Sequence, residues 1–190
     1  MRTFVAIEFS DAVRSKLCEL GARLRRSGAN ASWVKPEHLH LTLRFLGEID
    51  ESLAGRICDL LLLRYAGLRI FELTVQGVGA FPAIHKPAVV WAGVSPLEGG
   101  LEEAYRHADA AAGEIGVAPE GRPFHPHATL ARVRQPSRLQ ALVTAIEKER
   151  SFNAGGFTVR AVSLFRSELT PRGSIYTRLQ EFPLQCNSIT

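Results

Sequence analysis

The chain carries one short pattern twice, a histidine, a spacer, a threonine and an aliphatic residue. The copies are His40-Leu41-Thr42-Leu43 within HLHLTLRFLGE (38–48) and His127-Ala128-Thr129-Leu130 within FHPHATLAR (124–132). Imidazole titrates near neutrality, so of two such rings one can accept a proton while the other donates one. A threonine hydroxyl two residues on adds a hydrogen-bond donor for a nonbridging phosphate oxygen. Two such units facing each other would clamp a phosphate between a base and an acid, an arrangement suited to in-line displacement. A single copy would read as polar residues on a half-exposed strand, and it is the repetition that points to chemistry. Zinc is a competing use, because HLH and HPH each put two imidazoles on one strand face, but neither run adds a matching carboxylate or thiolate.

Strand side chains alternate between faces. His38, His40, Thr42 and Arg44 therefore share one face of the first run, and Leu39, Leu41, Leu43 and Phe45 share the other. Burying the polar set without partners would be costly, so that face must look toward water or a cleft, and Phe45 is expected in the core. The second run repeats this with His125, His127 and Thr129 against Ala128 and Leu130. Arg44 has the parity of the chemical face, where it is either a solvated charge or a substrate contact. Arg132 has the wrong parity, and a bulge or the strand's end would have to turn it inward.

Both runs need elements to hold them. RTFVAIEF (2–9) alternates as a strand, and Ser10 or Asp11 caps a helix whose Val13, Leu17, Leu20 and Leu24 recur at helical spacing until Gly28. SWV (32–34) is a short strand, followed by a turn at Lys35-Pro36 and the first motif strand. A second amphipathic helix over 51–67 buries Ile57, Leu60 and Leu61. IFELTVQGVGAFP and AVVWAGVSP are strands joined by the loop PAIHKP, and a third helix spans 97–116. HATLARV is the second motif strand, 137–150 a fourth helix, and GFTVRAVSLFRSEL with SIYTRLQEFPL a closing hairpin around Pro171-Arg172-Gly173. The order resembles two successive β-and-α units, with the motif histidines nearly half the chain apart. The expected fold is α+β and bilobal: two pseudo-symmetric lobes, each a mostly antiparallel sheet backed by helices, forming one domain over residues 1–190.

The 190 residues are 46% apolar and 22% charged, a globular composition with enough length for a core. A net charge of +4 suits a polyanionic partner without establishing one. Cys18, Cys58 and Cys186 form no CxxC pair, which indicates a reduced intracellular protein. The N-terminal apolar run is short and interrupted by Glu8, and the run at 60–70 is broken by Arg64 and Arg69. A cytoplasmic chain without a membrane span is expected.

Five blocks in order, RTFVAIEF, WVKPEHLHLTLRFLGE, GVGAFPAIHKPAVVWAGV, FHPHATLARV and LFRSELTPRGSIYTRLQEFPL, resemble the two-histidine phosphoesterase superfamily. They are most similar to its RNA 2′,3′-cyclic phosphodiesterase branch, formerly named 2′-5′ RNA ligase, and the resemblance spans nearly the whole chain. It implies a central cleft and opening of the cyclic phosphate at an RNA 3′ end to a 2′-phosphomonoester, with no metal or other cofactor. It implies His40 as the proton donor to the 3′ oxygen, His127 as the base that activates water, Thr42 and Thr129 as holders of the phosphate oxygens, and Arg132 as a neutralising charge. The implied partners are RNA ends bearing the cyclic phosphate, tRNA fragments and small cyclic nucleotides among them, met by a monomer away from membranes.

His38 stands where the family pattern more often has a polar amide, and it and His125 are given supporting or rim roles. His85 and His107 read as surface residues, while Lys86 and the basic run RLRRSG (23–28) are placed to meet an RNA backbone. Two alternatives stay open. The same histidines run in reverse would join RNA ends through a 2′–5′ linkage, and an RNA-end-binding module would do without turnover.

Overall fold

Alternating apolar residues build a nine-stranded sheet, and helical periodicity sets four helices against it, in a computed structural model that describes residues 1–135, 137–170 and 173–186. In chain order these are β1 (Arg2–Glu8), α1 (Asp11–Arg25), β2 (Ala31–Trp33), β3 (His40–Glu48), α2 (Glu51–Tyr65), β4 (Phe71–Ala83), β5 (Lys86–Pro96), α3 (Gly100–Glu114), β6 (His127–Val133), α4 (Leu139–Lys148), β7 (Asn153–Val159), β8 (Ala161–Thr170) and β9 (Gly173–Pro183). The predicted cap forms at Ser10, and Asp50 caps the second helix as well. The Ser10 hydroxyl accepts the Val13 N–H at 3.3 Å, and Asp50 accepts the Leu53 N–H at 2.8 Å, so each helix starts with an otherwise orphaned donor satisfied. Val13, Leu17, Leu20 and Leu24 are buried, as are Ile57 and Leu61, while Leu60 is only partly covered. Among the described residues no helix is long and apolar enough to cross a membrane.

The sheet runs β7-β4-β5-β6-β3-β1-β8-β9, and all these neighbours pair antiparallel. The order is symmetric about the β6/β3 junction, with a motif strand innermost on each side. Helices α2 and α3 pack on the half containing β3 and β9, whereas α1 and α4 pack on the half containing β4 to β7. The fold is bilobal and α+β.

The lobes are not successive pieces of chain. From β1 the chain crosses to α1 and β2 in the other lobe, returns for β3 and α2, and leaves again for β4 and β5. The stretch read as one strand, GFTVRAVSLFRSEL, breaks at Arg160 into β7 and β8, which lie at opposite ends of the order. Only β8 pairs with β9, and the expected turn at Pro171 and Arg172 lies outside the described residues. The loop expected over PAIHKP tightens to Ile84-His85, because β4 and β5 pair out to Ala83 and Lys86.

Among the described residues β3 and β6 share one registered pair, Leu41 with Ala128. Beyond it β2 takes over that edge of β6, pairing Trp33 with Ala131 and Ser32 with Arg132.

Candidate active site

Each motif strand carries one extra residue just after its threonine. Against β1, Val5 pairs with Arg44 and Ala6 with Thr42, so Leu43 is skipped. Against β5, Val90 pairs with Ala131 and Trp91 with Thr129, so Leu130 is skipped. A bulge of this kind resets the alternation of faces. Leu43 and Arg44 are consequently both buried, as are Leu130 and Ala131, and the following residues, Phe45 and Arg132, emerge on the face of the histidines.

Two expectations drawn from parity are corrected here. Arg44 is not on the chemical face: its side chain is 3% exposed, with its Nε 2.8 Å from Asp109 of α3 and its Nη1 3.0 Å from Glu120. It also donates to the carbonyls of Phe45 and Ala118, tying the bulge to the layer beneath. Phe45 is not core: it is 53% exposed and lines the cleft.

That cleft, of about 560 Å³, is lined by His40, Thr42, His127, Thr129 and Arg132 together. Arg2 and Arg134 add two further cations, and no aspartate or glutamate is among the described lining residues. The site is therefore built for an anion. Tyr176 also lines it, delivered from β9, and no local pattern in the sequence marks that residue.

The two histidines are oriented alike. His40 Nδ1 lies 2.7 Å from the His38 carbonyl and His127 Nδ1 lies 2.6 Å from the His125 carbonyl. A carbonyl can only accept, so in both neutral rings Nδ1 carries the proton and Nε2 is the free base. The residue two before each motif thus supports it through its backbone, whatever its side chain. His40 Nε2 lies 3.0 Å from the Thr42 hydroxyl, which donates to it.

Their surroundings differ. Phe4 stacks on His40 at 4.8 Å between centroids and Tyr176 meets it edge-on at 5.4 Å. Burial pushes the His40 pKa down to about 4; the carbonyl bond works the other way, and charge on His38 and His127 adds to the depression. His127 meets Phe81 edge-on at 5.1 Å and Trp91 at 6.3 Å. Burial again lowers its pKa, helped by charge on His125 and Arg132 and opposed by its carbonyl bond. Gly79 makes room for the Trp91 ring, since a Cβ there would stand 2.4 Å from the indole.

His107 pairs with Glu103 on α3 at 3.5 Å and His85 is exposed in the β4–β5 turn, both outside the cleft lining. Among the described residues no group of three or more His, Cys, Asp or Glu is placed to hold a metal ion.

The profile of the LigT like Phosphoesterase family matches residues 7–91 and, a second time, residues 93–176. The chain belongs to the LigT-like phosphoesterase family. Each match to the LigT-like profile contains one of the two motifs, so the repeat seen in four residues extends over both parts of the chain. A curated relative from Methanothermobacter thermautotrophicus, named RNA 2′,3′-cyclic phosphodiesterase, is 34% identical over 184 residues, 97% of this chain and 99% of that one. A solved structure from Thermus thermophilus superposes with a TM-score of 0.82 at 29% identity, covering 97% of this chain and 98% of its own. Escherichia coli LigT, crystallised with 3′-AMP, gives a TM-score of 0.77 at 26% identity, covering 96% of this chain and 97% of its own. The LigT-like fold thus accounts for nearly the whole chain.

Proposed function

We propose that this chain is an RNA 2′,3′-cyclic phosphodiesterase, hydrolysing the terminal cyclic phosphate to a 2′-phosphomonoester. The observation that carries this reading is that two histidines, each with Nδ1 held on a backbone carbonyl, line one cleft with three arginines and, among the described residues, no carboxylate. Both lobes supply one histidine, which supports residues 1–190 acting as one domain.

In the reaction His127 takes a proton from water, whose oxygen forms a bond to phosphorus. The bond from phosphorus to the 3′ oxygen breaks, and protonated His40 gives its proton to that oxygen. Thr42 and Thr129 donate to the nonbridging oxygens, and Arg132 offsets the charge that accumulates on them. Phe45, exposed in the same cleft, offers a face for the terminal base. Members of a preorganised acid and base pair each contribute about 10²–10⁴ in rate.

A second reading exchanges the two roles. It is favoured by the His40 pKa near 4, because a ring whose burial resists protonation is suited to accept a proton from water rather than to begin with one. The family resemblance supports the first assignment, and a bound phosphate anion raises the pKa of the ring nearest it.

The test is to incubate the protein with a short RNA ending in 2′,3′-cyclic phosphate, with and without a chelator, and to identify the product. A 2′-phosphate formed in both reactions is expected. A 3′-phosphate would reverse the leaving group, a joined product would establish the ligase reaction, and no product would defeat the proposal.

A further inference from the structure

A second concavity, of about 440 Å³, lies between α1 and the segment that joins β2 to β3. From α1 it takes Cys18, Gly21 and Ala22, from the end of β2 Trp33, and from the connecting segment Val34. Arg25, Arg26 and Lys35 also line it, and no aspartate or glutamate is among its described lining residues. The guanidinium carbon of Arg25 stands 5.8 Å from the centroid of the Trp33 ring.

Gly21 is informative. It sits inside a helix, where glycine is less favourable than alanine, yet a Cβ there would meet no atom within 4 Å. Packing does not require the glycine; the missing side chain keeps the groove open.

The groove and the cleft lie on opposite faces of β2, since Trp33 pairs with the buried Ala131 and Ser32 with Arg132, and they meet at the strand's end. Val34 lines both. In β2, Ser32 accepts a bond of 2.6 Å from Nε of Arg134, a cleft residue, while its neighbour Trp33 faces the groove. Cations therefore stand on both sides of β2, Arg132 and Arg134 in the cleft and Lys35, Arg25 and Arg26 around the tryptophan, so a strand leaving the cleft would round the edge of β2 to reach the groove.

We propose that this groove binds the single-stranded RNA upstream of the cyclic phosphate, with a base against Trp33 and backbone phosphates on Arg25, Arg26 and Lys35. An aromatic platform among cations is how single strands are held irrespective of sequence, and here three cations line the groove while Glu19 and Glu37 stand close to Cys18. The proposal rests on the phosphodiesterase reading, because the strand in the groove is the one whose end occupies the cleft.

Two variants test it while leaving the cleft intact. Gly21→Leu fills the groove with a better helix former, and Arg25→Glu/Arg26→Glu reverses two exposed charges; circular dichroism and melting check that both fold. Each is assayed on a nucleoside 2′,3′-cyclic monophosphate and on a short oligoribonucleotide with the same terminal group. Both variants are expected to lose about tenfold or more in kcat/KM on the oligonucleotide and to stay within about twofold of the parent on the mononucleotide. The double variant should also show a shallower salt dependence of RNA affinity, by about one to two in log–log slope. Unchanged oligonucleotide kinetics in both variants would overturn the groove.

If the parent protein cleaves neither substrate, the phosphodiesterase reading fails and the groove is judged on affinity for the labelled oligonucleotide alone. Binding weakened about tenfold by Gly21→Leu would then sustain the groove. Binding unchanged by it, or absent in the parent, would end the proposal.

Discussion

Leu41 pairs with Ala128 across the β3/β6 junction, and each is the spacer residue of its own motif. Continuing that antiparallel register by one residue brings His40 opposite Thr129 and Thr42 opposite His127. The two histidines therefore stand on one face, on either side of that pair, and both line the cleft. The placement of the two histidines is thus set by strand pairing in the core, not by loops.

That pair is accordingly a sensitive place to mutate. Leu41 is 1% exposed and Ala128 fully buried, so Ala128→Leu must displace the core packed beneath the junction. A loss of about 1–3 kcal/mol is expected in denaturant titration. A fall in kcat should accompany it, with the cleft residues unaltered in kind.

Replacing either histidine should cost about 10²–10⁴ in kcat, with melting temperature and circular dichroism close to the parent's. A cyclic substrate with sulfur in place of the 3′ oxygen separates the roles, since a thiolate leaves without protonation. His40→Ala should regain most of its activity on the sulfur substrate while His127→Ala stays inactive. The opposite pattern would assign the acid to His127.

The depressed imidazole pKa values predict an acid-shifted rate profile. Catalysis needs one ring protonated, and in the free protein both resist protonation, His40 down to about pH 4. The value of kcat/KM should therefore peak below pH 6.5 and fall as pH rises, while kcat, measured with the anion bound, declines at higher pH. Stability follows the same linkage. Unfolded His40 takes its proton near 6.5 and folded His40 near 4, so its contribution is full above 6.5 and is lost as pH falls through that interval. The loss is about 3 kcal/mol, and His40→Asn should flatten the fall seen in denaturation at pH 7 and pH 4.

The two arginines flanking the bulges should behave oppositely. Arg44→Met leaves Asp109 and Glu120 without their cation, and because both carboxylates keep access to water the destabilisation should be about 2–3 kcal/mol, below that of a fully buried pair. Arg132→Gln, at an exposed position, should lower kcat/KM by tenfold or more with an unchanged melting temperature.

What the sequence made legible, and what it hid, divides along local and nonlocal lines. The His-x-Thr runs were readable because alternation holds over three residues, and α1 was readable because Val13, Leu17, Leu20 and Leu24 keep helical spacing. Alternation failed one residue later, at Leu43 and Leu130, because a bulge depends on the partner strand and leaves no composition of its own. That single step misplaced Arg44 and Phe45. Tyr176 stayed hidden because it reaches His40 through β8 and β1, which only the sheet order reveals. Val159 and Ala161 read as one strand because nothing at Arg160 signals that its neighbours belong to different lobes.

The crossing of the chain between lobes also fixes when the site can exist during synthesis. Strand β1 precedes both motifs in the chain, yet its neighbour β8 and the Tyr176 that meets His40 edge-on emerge after both. A nascent chain that has both motifs but lacks β8 and β9 leaves the His40 lobe open along one edge. The cleft is therefore complete only once β8 and β9 have joined the sheet, after both motifs are in place.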